Sequence, residues 1–131
     1  MRYLLDTHTL IWYLELDDNL SKTAKETIEN NDNLILVSIV SLWEIAIKSS
    51  IGKLGFDSFF ENIDTELSAQ DIGVLPIGVN DIKIVRYLPF LETAKHKDPF
   101  DRLLVAQAKY NDLTIITKDD MFKHYDVMLL W

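Results

Sequence analysis

The chain contains no cysteine, which excludes disulfides and thiolate metal sites. It also lacks any apolar run close to the roughly 20 residues that are needed to span a bilayer. We find no low-complexity segment and no internal repeat. The chain has only 3 prolines and 4 glycines, and no linker rich in either residue. We therefore expect one domain, residues 1–131, in a cytoplasmic protein.

Basic residues are scarce. The chain has 13 lysines and arginines against 21 aspartates and glutamates, which gives a formal net charge of −8. This balance argues against a protein that binds nucleic acid through a broad basic face. It is compatible with a nuclease if part of the negative charge belongs to a site for divalent ions, and it also suits a chain that binds a basic partner.

Short apolar runs alternate with segments of helical periodicity. We predict strands at residues 3–5, 34–37, 74–77, 113–116 and 127–131. We predict helices at residues 7–15, 22–31, 38–50, 57–69, 80–87 and 99–110, with Thr7, Ser21 and Asn80 as caps of the first, second and fifth. Proline at position 76 favours an edge position for the third strand. Strands that alternate with helices indicate an α/β fold with a mostly parallel sheet.

Acidic residues recur where these strands end or where the neighbouring helices begin. Asp6 and Asp119 follow the first and fourth strands, Glu44 lies in the helix after the second, and Asp98 and Asp101 start the helix before the fourth. The carboxyl ends of parallel strands share one edge of a sheet, where ligand crevices form. Carboxylates gathered there repel one another unless a cation joins them. An oxygen-only cluster indicates a hard metal such as Mg²⁺ or Mn²⁺, the chemistry of phosphodiester hydrolysis.

Three of these acids also have a simpler structural explanation. Asp6 and Asp98 are suited to cap helices, and Asp98 especially so because Pro99 follows it at the first helical position. Glu44 can form a salt bridge with Lys48 one turn further on. The segment 39–47 is so apolar, however, that we expect its helix to be buried, and a buried carboxylate needs a partner or a metal.

The remaining residues give weaker signals. The three histidines share no helical spacing and are expected at the surface or in turns, while aromatic residues such as Trp12 and Trp131 are expected in the core. Asp120 is the expected cap of the turn that follows Asp119. Several cations flank the predicted acidic edge and are candidates to hold RNA phosphates, although a solvated charged face explains them almost as well: Lys48, Lys53, Lys97, Arg102 and Lys118.

Four stretches of the chain carry a family resemblance. They are residues 4–8 (LLDTH), 43–54 (WEIAIKSSIGKL), 96–108 (HKDPFDRLLVAQA) and 117–119 (TKD), with Phe122 and Tyr125 behind the last. In this order, from residue 3 to the C-terminus, the chain resembles the PIN-domain family, and within it the VapC-type toxins of toxin–antitoxin pairs.

The resemblance implies a compact three-layer α/β fold, with a central sheet of four to five strands flanked by helices, and a ribonuclease dependent on Mg²⁺ or Mn²⁺. It identifies a catalytic and metal-binding quartet of Asp6, Glu44, Asp101 and Asp119. It also identifies an additional acid, Asp98, and hydroxyl positions at Thr7 and Thr117. Toxins of this kind form homodimers and are held inactive by a cognate antitoxin protein, so the resemblance implies both partners beside the RNA substrate.

The mechanistic hypothesis is in-line attack of water on an RNA phosphodiester. Asp6 and Asp101 are the expected main metal ligands, and Glu44 and Asp119 complete the cluster directly or through waters. The number of ions stays open, because Mg²⁺ keeps several waters and needs few protein carboxylates.

Two other functions compete with this hypothesis. An aspartyl-phosphate phosphotransferase would use Asp6 as its nucleophile, but the usual second acid two residues on is replaced by His8. A non-catalytic α/β binding module, such as a receiver-like switch, should carry paired acids after the first strand and another after the third. Here only Asp6 follows the first strand, and the run at 74–77 ends without an acid.

Overall fold

The structure, a computed structural model, describes residues 1–52, 60–89 and 98–131. The strands in these ranges are β1 Arg2–Leu5, β2 Leu34–Ser38, β3 Ile72–Leu75, β4 Thr114–Ile116 and β5 Leu129–Leu130. The α-helices are α1 Thr7–Glu15, α2 Lys22–Glu29, α3 Ile39–Ser50, α4 Ile63–Ala69, α5 Val79–Tyr87 and α6 Pro99–Asn111, and a short 3₁₀ helix covers Asp120–His124. None of the helices in the described ranges is long and apolar enough to cross a membrane.

The five strands form one parallel sheet in the order β3-β2-β1-β4-β5. Strand β1 lies at its centre, where Leu5 pairs with Val37 of β2 on one side and with Ile116 of β4 on the other. The apolar runs of the central strands fit burial on both faces of a parallel sheet. The predicted α/β fold, with a parallel sheet flanked by helices, is confirmed.

Apolar residues form a core on each face of the sheet. Successive residues of a strand point to opposite faces, so Leu5 packs with Leu10 of α1 in one core, while Leu4 packs with Leu104 of α6 in the other. The result is a three-layer arrangement of helices, sheet and helices. Because the strands are parallel, their carboxyl ends all lie at one edge of the sheet.

Two predicted caps are wrong. Helix α1 is capped by Asp6, not by Thr7, because the extended backbone at Asp6 lets its side chain accept the Thr9 backbone N–H. Helix α5 begins at Val79, since the carboxylate of Asp81 accepts the backbone N–H of Gly78 at 2.7 Å, and Asn80 lies inside the helix. The predicted cap of α2, Ser21, is confirmed.

Several predicted boundaries also shift. Strand β3 is the expected edge strand but begins at Ile72 and ends before Pro76, which has no N–H to continue the ladder. Helix α2 ends at Glu29, short of the predicted residue 31, and β5 covers only Leu129–Leu130 of the predicted 127–131. Residues 57–59 of the predicted fourth helix lie outside the described residues, and the part seen as α4 begins at Ile63.

The expectation that α3 is buried on most sides is wrong. Its buried face carries Ser41, Glu44 and Ile45, whereas Trp43 is 56% exposed. Residues 39, 43 and 47 are spaced by four, which places them on one stripe of the helix, and all three are exposed apolar residues. The apolar residues of α3 thus divide between the core and an outward-facing stripe.

Two strand ends are tied to α6 by a buried side-chain amide. Gln107 is fully buried; its Oε1 accepts from Ser38 Oγ at 2.5 Å, and its Nε2 donates to the carbonyl oxygen of Pro76 at 3.2 Å. Gln107 therefore holds the ends of β2 and β3 in place.

We expect Gln107→Leu to lower the free energy of unfolding by about 2 kcal/mol, because the buried Ser38 hydroxyl and the part-buried Pro76 carbonyl lose their partner. Urea unfolding followed by circular dichroism measures this change. The chain's other glutamine, Gln70, is exposed and accepts one bond, from Tyr13. Gln70→Ala should therefore cost clearly less, and equal losses in the two variants would contradict the prediction.

Candidate active site

Asp6 occupies the carboxyl end of the central strand and both its oxygens are engaged. Oδ1 accepts the Thr9 backbone N–H at 2.8 Å, and Oδ2 accepts from Thr117 Oγ1 at 2.5 Å. The side chain is only 6% exposed. Asp6 is thus both the cap of α1 and a buried carboxylate fixed in one orientation.

Burial determines the electrostatics of Asp6. Desolvation raises the pKa of its carboxyl above the ordinary aspartate value, although the hydrogen bonds from Thr117 and Thr9 oppose the shift. A carboxylate whose charged form is penalised in this way is stabilised when a cation binds beside it. Each of its oxygens keeps a further lone pair for such a contact.

Glu44 lies on the buried face of α3 and is 7% exposed. Its Oε1 accepts from Thr7 Oγ1 at 2.6 Å, and its Oε2 accepts from Lys48 Nζ at 2.8 Å. The salt bridge to Lys48 that the sequence allowed is therefore present. Because Thr7 follows Asp6 directly, its hydroxyl places Glu44 beside the end of β1.

Thr117 and Asp119 join the site from the neighbouring strand. Thr117 is buried just beyond β4, where it donates to Asp6 and accepts the backbone N–H of Asp119 at 3.0 Å. Asp119 is exposed and caps the 3₁₀ helix through Oδ1, which accepts the Met121 N–H at 2.9 Å. The cap is therefore Asp119 and not Asp120, which instead forms an ion pair with Lys123.

The start of α6 contributes Asp98 and Asp101. Asp98 caps the helix, since its Oδ1 accepts the Phe100 N–H at 2.9 Å, which confirms the capping role. Asp101 is the third residue of the helix and is half-buried. The ring of Phe100 contacts that of Trp43 at 5.0 Å between centroids, so the chain neighbours of Asp101 and Glu44 touch.

Asp6, Glu44 and Asp119 are thus connected through two threonines at one edge of the sheet, with the first turn of α6 beside them. Within residues 1–52, 60–89 and 98–131, no group of three or more His, Asp or Glu side chains is arranged as a preformed metal site. The chemistry of the donors nonetheless fits a hard divalent cation, because they are carboxylates and hydroxyls and Asp6 is desolvated.

The candidate RNA-binding cations have different surroundings. Lys118 is exposed at the edge of the site, whereas Lys48 is paired with Glu44. Arg102 is buried, and its guanidinium donates to backbone carbonyls at the end of α5 and to Tyr125. These contacts are all within the protein, so we expect a structural role for Arg102, and its contact with RNA phosphates stays a prediction. Lys53 and Lys97 lie outside the described residues.

A cavity of about 490 Å³ opens beside Asp6 and is lined by Asp6, His8, Trp12, Lys118, Asp119 and Asp120. No functional role was predicted for His8 or Trp12 from the sequence. His8 and Trp12 are four residues apart in α1, so their side chains lie on the same face of the helix. Because Asp6 caps this helix, the spacing could have indicated that both side chains lie near Asp6.

A five-stranded parallel α/β fold with carboxylates at the ends of its strands defines the class of protein. The chain belongs to the PIN domain family, whose sequence model matches residues 3–128. A search of the curated proteins found no match.

Solved structures share the fold at low sequence identity. The chain is similar to VapBC2 from Rickettsia felis bound to a promoter DNA fragment, with a TM-score of 0.73, 17% identity, and coverage of 99% of this chain and 98% of that chain. VapBC-1 from nontypeable Haemophilus influenzae is similar with a TM-score of 0.68 and 17% identity, and the match covers 99% of this chain and 97% of that chain. FitAcB from Neisseria gonorrhoeae is similar with a TM-score of 0.66 and 22% identity, and the match covers 98% of this chain and 96% of that chain.

Proposed function

We propose that the chain is a single-domain, cytoplasmic endoribonuclease that depends on Mg²⁺ or Mn²⁺ and acts as the toxin of a toxin–antitoxin pair. The observation that carries the proposal is the hydrogen-bonded arrangement of Asp6, Thr117 and Asp119 with Thr7 and Glu44 at the carboxyl edge of a PIN-domain sheet.

In this proposal Asp6 and Asp101 would be the main metal ligands, and Glu44 and Asp119 would complete the set directly or through waters. A bound ion would supply Lewis acidity and lower the pKa of a water molecule. Thr117 fixes the carboxylate of Asp6, and Thr7 fixes that of Glu44. Asp98 supports the site by fixing the first turn of α6. A water molecule would attack the phosphorus in line and lose one proton to the solvent, and the P–O bond to the leaving oxygen would break as that oxygen takes up a proton.

The partners follow from the same proposal. The similar structures named above are VapBC and FitAcB assemblies, and the net charge of −8 suits an antitoxin with a cationic segment. We further propose a homodimer, for which the exposed apolar stripe of α3, residues 39, 43 and 47, is a candidate contact.

We expect the purified chain, freed of any bound partner, to cut total cellular RNA into discrete fragments with Mn²⁺ or Mg²⁺ and to cut nothing with chelator. Gel or sequencing analysis of the fragments measures this. Cleavage that persists in chelator would contradict the metal dependence. A folded chain that binds neither metal nor RNA would contradict the nuclease, and covalent labelling of Asp6 by a phosphate mimic would favour the phosphotransferase instead.

A further inference from the structure

The cavity beside Asp6 has an aromatic wall that the proposed chemistry does not use. Trp12 is half-buried, and its ring is held by Trp131, edge to face at 5.9 Å between centroids, and by His8 at 5.7 Å. An aromatic ring that its neighbours hold in place loses little freedom when another flat group packs against it.

A cation lies over the same ring. The Lys118 Nζ is 5.8 Å from the centroid of Trp12, and the lysine is exposed. This contact shows that a polar group from the rim reaches the face of the ring. Because its unbranched side chain is long, the Lys118 ammonium can also move from the ring to a phosphate close by.

The acids of the cavity do not exclude a polyanion. Asp120 is already paired, with its Oδ1 2.7 Å from Lys123 Nζ. Asp6 and Asp119 belong to the proposed metal set, in which a divalent ion offsets their charge. The cavity therefore offers an aromatic face with an exposed cation over it, a combination that proteins use to bind single-stranded nucleic acids.

We propose that the cavity receives one unpaired base of the RNA, stacked on Trp12, while Lys118 contacts an adjacent phosphate. This inference rests on the proposed function. A base inside a duplex is stacked on its neighbours and cannot enter without being flipped out. Trp12 is therefore a specificity-determining residue that favours unpaired segments close to the cleaved bond.

The test measures binding of a fluorescein-labelled, single-stranded hexanucleotide RNA by fluorescence anisotropy in Mg²⁺, with Asp101→Asn in every protein so that the RNA stays intact. We expect Trp12→Leu to weaken binding about 10- to 100-fold. Trp12→Phe keeps a stacking ring and should stay within about 5-fold. Tyr87→Leu, which removes an exposed aromatic ring outside the cavity, should leave the affinity unchanged.

A set of hexanucleotides with one abasic position each separates stacking from a general defect. At the RNA position whose base stacks on Trp12, removal of the base should weaken binding to the protein that keeps Trp12 but not to the Trp12→Leu protein. The inference is overturned if the protein with Trp12 and the Trp12→Leu protein bind intact RNA with equal affinity. It is also overturned if Trp12→Leu weakens binding by the same factor whichever position of the RNA is abasic. A Trp12→Leu protein that binds RNA normally but no longer binds a partner protein also overturns it.

The two proposals fail in different ways. If the chain cuts RNA but Trp12→Leu has no effect on binding, only the base pocket is wrong. If the Asp101→Asn protein with Trp12 intact binds no RNA and the unsubstituted chain cuts none, the ribonuclease itself is wrong and the base pocket falls with it.

Discussion

Replacing both Asp6 and Asp101 by asparagine should lower RNA cleavage by at least about 10³-fold, which corresponds to about 4 kcal/mol of transition-state stabilisation. The expected cause is the loss of the two main metal ligands of the proposed site, since a neutral amide binds a hard cation far more weakly than a carboxylate does. The effect is measured as the initial rate of cleavage, at saturating Mn²⁺, of a defined RNA that contains a site cut in the total-RNA digest.

The same double substitution should leave the fold intact. Asparagine at position 6 keeps the oxygen that accepts the Thr9 N–H. Because burial raises the pKa of Asp6 in the folded state, its stabilising contribution is complete only at low pH and is lost as the pH rises through the folded pKa. Above the unfolded pKa the buried carboxyl group therefore costs free energy in the folded chain. Asparagine is neutral and does not carry this cost, so we expect a melting temperature no lower than that of the unsubstituted chain.

Metal binding offers a readout that does not depend on cleavage. An ion that binds only the folded protein stabilises it by mass action, so Mn²⁺ should raise the melting temperature of the unsubstituted chain but not that of the double variant. Asp81→Asn is the matched control, because Asp81 is 4% exposed and caps a helix but lies on α5. Full cleavage by the double variant, or equal loss in Asp81→Asn, would contradict the assignment of the acidic quartet.

The sequence alone was sufficient for the elements at the centre of the sheet. The runs 34–37 and 113–116 contain few polar residues, because strands β2 and β4 bury both faces, and a pattern of this kind is visible in one dimension. The acids that follow the strands in sequence do lie at one edge of the sheet, where Asp6, Glu44 and Asp119 form the candidate site. The helix starts were harder, because Asp6, Thr7 and Thr9 are all suitable caps and only the three-dimensional contacts select Asp6.

Contacts between distant residues could not be predicted in this way. Thr7 and Glu44 are 37 positions apart, and Thr117 and Asp6 are 111 apart, so no local pattern reports their hydrogen bonds. Trp12 was expected in the core because tryptophan is usually buried there, yet a helix that starts at the acidic edge brings one side of its ring to the cavity. The outward stripe of α3 was missed because apolar residues that face the core and apolar residues that face outward look alike in sequence.

Arg102 shows the same difficulty for charge. A cation that follows a predicted ligand, Asp101, is a reasonable candidate to hold RNA, but its side chain is 6% exposed. The guanidinium donates to the carbonyls of Val85, Leu88 and Pro89 at 3.3, 3.2 and 3.0 Å. A cation at the C-terminal end of a helix also interacts favourably with the helix dipole, so Arg102 fixes the end of α5 against α6.

Arg102→Met should therefore lower the free energy of unfolding by about 3 to 4 kcal/mol, because methionine fills part of the volume but leaves the buried Leu88 carbonyl and the part-buried Pro89 carbonyl without the guanidinium donors. Arg102→Lys keeps one charged donor and should lose about half as much, since an ammonium cannot reproduce the planar set of N–H groups. Urea unfolding with a lower midpoint and an unchanged slope measures the loss.

The control for Arg102 is Arg86, which lies in the last turn of α5, the helix end that Arg102 contacts. Arg86 is exposed and lies over the ring of Tyr87, so Arg86→Met should change stability by less than about 0.5 kcal/mol. If Arg102 instead served RNA, Arg102→Met would keep its stability and lose affinity for the hexanucleotide. A stable Arg102→Met protein would overturn the interior role, whereas an unstable one whose folded fraction binds RNA normally would establish that this arginine holds the helix end beside the site.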